Sequence, residues 1–238
     1  MSTRREVMLI ADIGGYTDYM QFHRSILGHA EAATTRMLDK VVDAARGFDL
    51  IDIEGDAAFL SRDATDLNGP ETLNVVTDAV VALHGAFHAE RRLIELNMCP
   101  CGSCKRTSDL TLKFVAHVGE VATQTIRHRK SIVGLDVIHV HRLLKNPVEV
   151  PEYLLLSEEL YRSANTSIPG PAHELSQDLE GIGPVKAYFV DVADLPDAAP
   201  PLPDPSLLGR VRRTLAVAGS GMPYMLGIRR RRSTAPAF

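Results

Sequence analysis

Apolar positions along the chain fall into short continuous runs and longer helical stripes. The run "EVMLIADI" (6–13) fits a buried strand. From about Thr17 to Ala45 apolar residues recur at helical spacing among good helix formers, with an interruption near Gly28, which predicts one helix or two. "FDLIDIEGDAAFLSRD" (48–63) reads as a hairpin: Leu50, Ile51 and Ile53 precede a tight Glu54-Gly55-Asp56 turn, and Ala58, Phe59 and Leu60 follow it. Pro70 and Glu71 then open a stripe of Val76, Val80, Leu83 and Phe87 at intervals of three and four, the signature of an amphipathic helix. "LTLKFVAHVGEVATQTI" (110–126) alternates and predicts a strand, or a strand pair turning at Gly119-Glu120. A helix is expected over "VIHVHRLLKN" (137–146), after Gly134, and a terminal strand over "VKAYFVDV" (185–192). No repeat of solenoid type interrupts this order. The expected class is α/β (α+β), a mixed sheet flanked by helices.

Composition narrows the setting. The chain has 238 residues, 45% of them hydrophobic and 24% charged. It is long enough to bury a substantial core. No apolar run approaches the roughly 18 residues needed to cross a bilayer, and the apolar patch after "MSTRREV" meets Asp12 too soon for a secretory signal. A cytoplasmic location is expected, with a peripheral membrane association as its extension.

Charge divides the chain. After Asp204 there is no acidic residue but there are seven arginines, so a formal net charge of −4 combines a tail of +7 with a remainder of −11. "DLPDAAPPLPDPS" (194–206) is proline-dense and favours extended polyproline II structure. The expected organisation is a folded domain over 1–195, a Pro-rich linker over 196–206 and a basic tail over 207–238. An anionic membrane surface, where each basic residue contributes on the order of 1 kcal/mol, is one expected contact of the tail. The acidic body is the other, and a disordered tail is the alternative to both. Nucleic acid is disfavoured, because a short arginine run without stacking aromatics lacks a readout surface.

Three cysteines, Cys99, Cys101 and Cys104, crowd into "NMCPCGSCKR". An odd number at this spacing disfavours a disulfide framework, and three thiols within six residues can converge on one soft cation. Zinc is the expected ion, and a closed site needs four ligands. The fourth is sought among His84 and His88 on the preceding helix, His128, a symmetry mate or solvent; three reduced cysteines without metal are the alternative.

Four stretches together resemble a known family. "ADIGGYTDY" (11–19), "IEGDAAF" (53–59), "AHVGEV" (116–121) and "VGLDVIHVHRLL" (133–144) are similar, in order and spacing, to the motifs of class III nucleotidyl cyclases, over Val7 to roughly Val192. The cysteine insertion and "HRLLKN" resemble an uncharacterised bacterial branch of that superfamily. The resemblance implies a ferredoxin-like core, a homodimer, and two aspartates, here Asp12 and Asp56, holding two magnesium or manganese ions against a nucleoside triphosphate. Hard cations of this kind take oxygen ligands, and the Ile13 carbonyl is a further one. Gly14 and Gly15 would let the chain turn sharply and aim backbone N–H groups at phosphate, with Tyr16 and Thr17 following. Taken singly, Asp12 is more readily a helix cap and Asp56 a turn residue. The pair in this order favours a metal or phosphate site.

Arg142 matches the arginine that the family uses to stabilise charge on the reacting phosphate across the dimer interface. The solvated face of an amphipathic helix is its alternative role. Other positions depart from the pattern. Asp52 stands where the family reads the purine with lysine, Ile138 where an asparagine orients the ribose, and Glu180 and Ile182 occupy the turn whose lysine grips the triphosphate. Glu180 is expected to repel phosphate, with Lys186 nearby in sequence. His117, His139 and His141 are more readily structural than proton-transfer groups. The leading expectation is a cyclase-like regulatory protein that binds a nucleotide or phosphoryl ligand with a degenerate catalytic set. An active nucleotidyl cyclase with altered base recognition is one alternative, and a metal-stabilised dimerisation module is the other.

Overall fold

A computed structural model describes residues 3–23, 27–97, 106–127, 129–164 and 168–198. Cys99, Cys101, Cys104, His128, the linker beyond Ala198 and the basic tail lie outside them, and so do the zinc and tail expectations placed there.

The central strand β1 (Thr3–Gly14) is the predicted apolar run extended in both directions. It is followed by two helices, α1 (Tyr16–Phe22) and α2 (Leu27–Ala44). The break between them precedes Gly28, which lies inside α2. The hairpin of β2 (Asp49–Glu54) and β3 (Ala57–Asp63) turns at Gly55, whose φ of 65° is the left-handed conformation that glycine adopts without strain. Helix α3 (Gly69–Asn97) carries the predicted stripe: Val76, Val80, Leu83 and Phe87 are all fully buried. Its start is a capping box, in which Asn68 Oδ1 accepts from the Glu71 N–H at 2.9 Å and Glu71 Oε2 accepts from the Asn68 N–H at 3.0 Å.

β4 (Thr111–Ile126) is one unbroken strand of 16 residues. Gly119 therefore makes no turn. It makes room for Asp136, because a Cβ at Gly119 would lie 2.2 Å from the Asp136 Cγ. The hairpin turn comes later, and β5 (Arg129–Val133) pairs back onto the end of β4. Helix α4 (Leu135–Leu143) follows Gly134 as expected. Then come β6 (Tyr153–Ser157), α5 (Glu158–Ser163), β7 (His173–Leu179) and the predicted terminal strand, β8 (Gly183–Asp191).

The strands form one eight-stranded mixed sheet in the order β2-β3-β1-β4-β6-β8-β7, with β5 hydrogen-bonded to β4 off this path. Every pairing is antiparallel except that of β4 with β6. The β1-to-β4 portion has the βαββαβ chain order and strand arrangement of a ferredoxin-like core. Alternation along β1 separates two cores: Val7, Leu9, Ala11 and Ile13 face α2, α3 and α5, while Met8 and Ile10 face α4. Among the described residues no helix is long and apolar enough to cross a membrane.

Candidate functional site

Two of the predicted acidic residues meet where β1 ends beside the β2–β3 turn. Asp12 lies opposite Ala57 of β3 and Lys113 of β4, on the face shared with Met8 and Ile10. Asp56 is brought alongside by the turn itself, with the Ile13 N–H donating to the Asp56 carbonyl at 3.2 Å. Gly14 is needed for close approach, because a Cβ there would lie 2.2 Å from the Thr111 Oγ1. Gly15 has a φ of 78° and opens α1. Asp12, Asp56 and the run from Ile13 to Thr17 line a single open cleft of about 380 Å³, joined by Asp18 and Lys113.

Lys113 alters the chemistry of this cleft. Its ammonium sits 2.9 Å from Asp12 Oδ2, and Asp12 is only 8% exposed. Burial works against the Lys113 charge, but the hydrogen bond and field of Asp12 outweigh it and raise its pKa. Among the described residues Asp56 has no such cation in close contact: burial first, and the Asp12 charge second, push its carboxyl up from the usual carboxylate range. Tyr16 is raised as well, by burial and then by Asp56. With Asp12, Asp18, Asp56 and Lys113 all ionised, the cleft holds two net negative charges. That suits one divalent cation shared with a ligand's phosphates more than a pair of ions, since magnesium is commonly held by one or two carboxylates plus phosphate. A second ion would need Lys113 displaced from Asp12.

The other predicted site residues lie elsewhere. Asp52, on β2 opposite Phe59, is not part of the cleft wall, and its Oδ1 accepts from the Ile53 N–H at 2.7 Å. Arg142, in the last turn of α4, is also outside the cleft and is ion-paired with Glu180. That contact revises the expectation for Glu180. The hydrogen bond from Arg142 holds its carboxyl below the usual range, so Glu180 neutralises the arginine rather than facing phosphate unopposed. Lys186 is engaged by Glu174 at 2.6 Å. Ile138 is half exposed on α4.

Sequence reasoning missed Lys113 although its signal was present: a lysine in the apolar part of an alternating strand. What it lacked was the pairing register, which sets Lys113 directly across from Asp12. A second buried group surrounds His117, whose Nδ1 lies 2.7 Å from Ser157 Oγ and Nε2 3.1 Å from Asp136 Oδ1. The hydrogen bond from His117 lowers the Asp136 pKa, and Asp136 Oδ2 also accepts from the Glu120 N–H at 2.7 Å. His139, whose ring lies tilted against that of His117, is pushed down by burial first and by His117 second. These contacts tie α4 to β4 and β6, a structural role consistent with the sequence expectation for the histidines.

The architecture is that of nucleotidyl cyclase domains. It is similar to the guanylate cyclase domain of RhGC from Catenaria anguillulae, solved in complex with GTP, at a TM-score of 0.58 and 12% identity over 80% of this chain and 98% of that one. It is likewise similar to the non-canonical dimeric guanylyl cyclase domain of the RhoGC fusion protein from the aquatic fungus Blastocladiella emersonii, at a TM-score of 0.55 and 14% identity over 80% and 98% of the two chains. Likeness at this identity establishes the fold.

The chain belongs to the family described as "Protein of unknown function (DUF2652)", whose sequence model matches residues 34–153. It is also 36% identical, over 82% of its own length and 90% of the other, to the "Uncharacterized protein Rv2561/Rv2562" of Mycobacterium tuberculosis.

Proposed function

We propose that this chain is a regulatory domain on the cyclase fold that binds a nucleotide or another phosphoryl ligand at the Asp12–Asp56 cleft, without cyclase turnover. The observation that carries this reading is the Lys113–Asp12 ion pair. Where the cyclase resemblance expects a carboxylate free to hold metal, an ammonium already neutralises it. Arg142, the residue matched to charge stabilisation, is likewise engaged by Glu180. What remains is a binding surface: Lys113 as a point charge for phosphate, the Ile13-to-Thr17 turn as backbone lining, and Asp56 for one magnesium or manganese ion carried in with the ligand. The GTP bound to the Catenaria cyclase domain supports nucleotide as the ligand class.

The exposed apolar side chains of α4, Leu135 at 78% and Ile138 at 48%, support a homodimer in which a second copy covers them. So does the dimeric state of the Blastocladiella domain. The active-cyclase alternative keeps one specific support, the convergence of Asp12 and Asp56 in one cleft.

Thermal unfolding with a panel of nucleoside triphosphates tests the binding reading. A triphosphate plus manganese is expected to raise Tm, by about 2.7 kcal/mol in stability at a ligand concentration a hundredfold above Kd. Asp56→Asn is expected to remove the manganese-dependent part of that rise. No shift with any triphosphate, with or without manganese, removes the nucleotide reading and leaves the dimerisation module.

A further inference from the structure

Away from the cleft, on the opposite face of the sheet, α3 presents His84 and His88 one turn apart to Glu152, the residue preceding β6. His84 Nε2 lies 3.0 Å from Glu152 Oε2, and His88 Nε2 lies 2.8 Å from Oε1 and 3.1 Å from Oε2. The ligand atoms of the three side chains all lie within 4.8 Å of one another, and each residue is partly buried.

Proton accounting makes this cluster unusual. The His84 Nδ1 is 3.2 Å from the Ala198 carbonyl oxygen, which can only accept. Nδ1 must therefore carry the proton of a neutral ring, which leaves the Nε2 lone pair pointing at a carboxylate oxygen. A neutral His84 beside an ionised Glu152, the form its neighbours favour, cannot satisfy both contacts. Either the ring is an imidazolium, or a cation lies between Nε2 and Glu152. His88 adds a second Nε2 to the same two oxygens, and the two imidazole rings lie tilted against each other with centroids 4.2 Å apart, a poor arrangement for two imidazolium charges.

We infer that His84, His88 and Glu152 form a binding site for one zinc-class divalent cation. Two imidazole nitrogens and one carboxylate are a three-ligand set that leaves a fourth position open to solvent. With metal–ligand distances of about 2.0–2.2 Å, tetrahedral geometry separates ligand atoms by about 3.3–3.6 Å, so the two contacts to Glu152 Oε2, at 3.0 and 3.1 Å, need to open by only a few tenths of an ångström. The outer contacts are those a metal site uses. The His84 Nδ1–H on the Ala198 carbonyl fixes the tautomer that leaves Nε2 free to ligate, and the Leu112 N–H donates to Glu152 Oε1 at 2.9 Å. Arg91 lies one turn beyond His88, where its Nη1 donates to the Ser108 carbonyl at 3.2 Å. A bound ion would staple α3 to the start of β6 and to the backbone at Ala198.

Zinc and cobalt uptake by the full chain provides the test, with the cysteines removed as competitors by replacing Cys99, Cys101 and Cys104 with serine. The folded triple variant is expected to bind one equivalent of either ion and to gain thermal stability with it. Its cobalt spectrum should show d–d bands without a thiolate charge-transfer band. His88→Gln is expected to weaken binding more than about 100-fold, beyond the 10–100-fold typical of losing an outer partner. Should the triple variant fail to fold, the same readout comes from the unsubstituted chain, where His88→Gln must abolish one cobalt equivalent whose spectrum lacks that band. Stoichiometry, spectrum and Tm unaffected by His88→Gln would overturn the site and leave an imidazolium–carboxylate cluster.

Discussion

Replacing Lys113 with methionine is expected to destabilise the metal-free protein by about 3 kcal/mol at neutral pH, because removing one partner of a buried ion pair strands the other charge. In a domain of this size that corresponds to a fall in Tm of roughly 6–12 °C. Asp12, nearly buried, would face Asp56 without a cation between strands β1 and β4. The pH dependence follows from Asp56, whose carboxyl is already raised by burial and by Asp12 and is held down in part by Lys113. Without Lys113 its folded pKa rises further above the unfolded value. Stability from such a group is fully present below the unfolded pKa and is lost as pH rises through the folded one. The deficit of the variant should therefore shrink as pH falls toward about 4. Manganese should restore much of the loss at neutral pH by taking the place of the ammonium. Thermal unfolding across pH, with and without manganese, reads all three effects, and a variant as stable as the parent would remove Lys113 from the account.

The second large effect belongs to Glu152. Burial opposes its ionisation, but hydrogen bonds from His84 and His88 and from the Leu112 N–H hold its carboxyl far below the usual range. In chelator-treated protein Glu152→Gln is expected to cost about 2–3 kcal/mol at neutral pH, within the range for disrupting a partly buried, charge-assisted network. A depressed carboxylate contributes stability above its unfolded pKa and loses it as pH falls through the folded value. The parent should thus lose this contribution progressively below about pH 4.5, and the gap between parent and variant should narrow there. Equal acid sensitivity and equal stability at neutral pH in the two proteins would contradict the assignment.

Much of this architecture was legible in the sequence because it rests on local periodicity. The stripe of α3, the apolar run of β1, the alternation of β4 and the Gly55 turn each report their element without help from the rest of the chain. The convergence of Asp12 and Asp56 was legible too, through the order of the motifs that carry the cyclase resemblance. Non-local register was not. Whether Gly119 is a turn or a gap for Asp136 depends on where α4 docks, and the alternation around it reads the same in both cases. The Lys113–Asp12 pair and the Arg142–Glu180 pair join residues that are 101 and 38 positions apart in the chain. His84 and His88 were visible as ligands at helical spacing, but Glu152 reaches them only through the parallel crossover that sets β6 beside β4. No spacing rule carries that information. The strands and helix over 153–179 were less distinct, since "EYLLLSEELYRS" passes from strand to helix at Ser157 with no glycine or proline to mark the change; the Ser157 hydroxyl makes the cap by accepting from the Leu160 N–H at 3.3 Å.

The central claim is that this cyclase fold binds a phosphorylated nucleotide without converting it. Product analysis tests it most directly: the purified full chain is incubated with each common nucleoside triphosphate and manganese, and the mixture is resolved by mass spectrometry beside a binding titration. Saturable binding with the triphosphate recovered intact is the expected result. Formation of a 3′,5′-cyclic nucleotide that Asp56→Asn and Arg142→Ala both abolish would contradict it and establish an active cyclase.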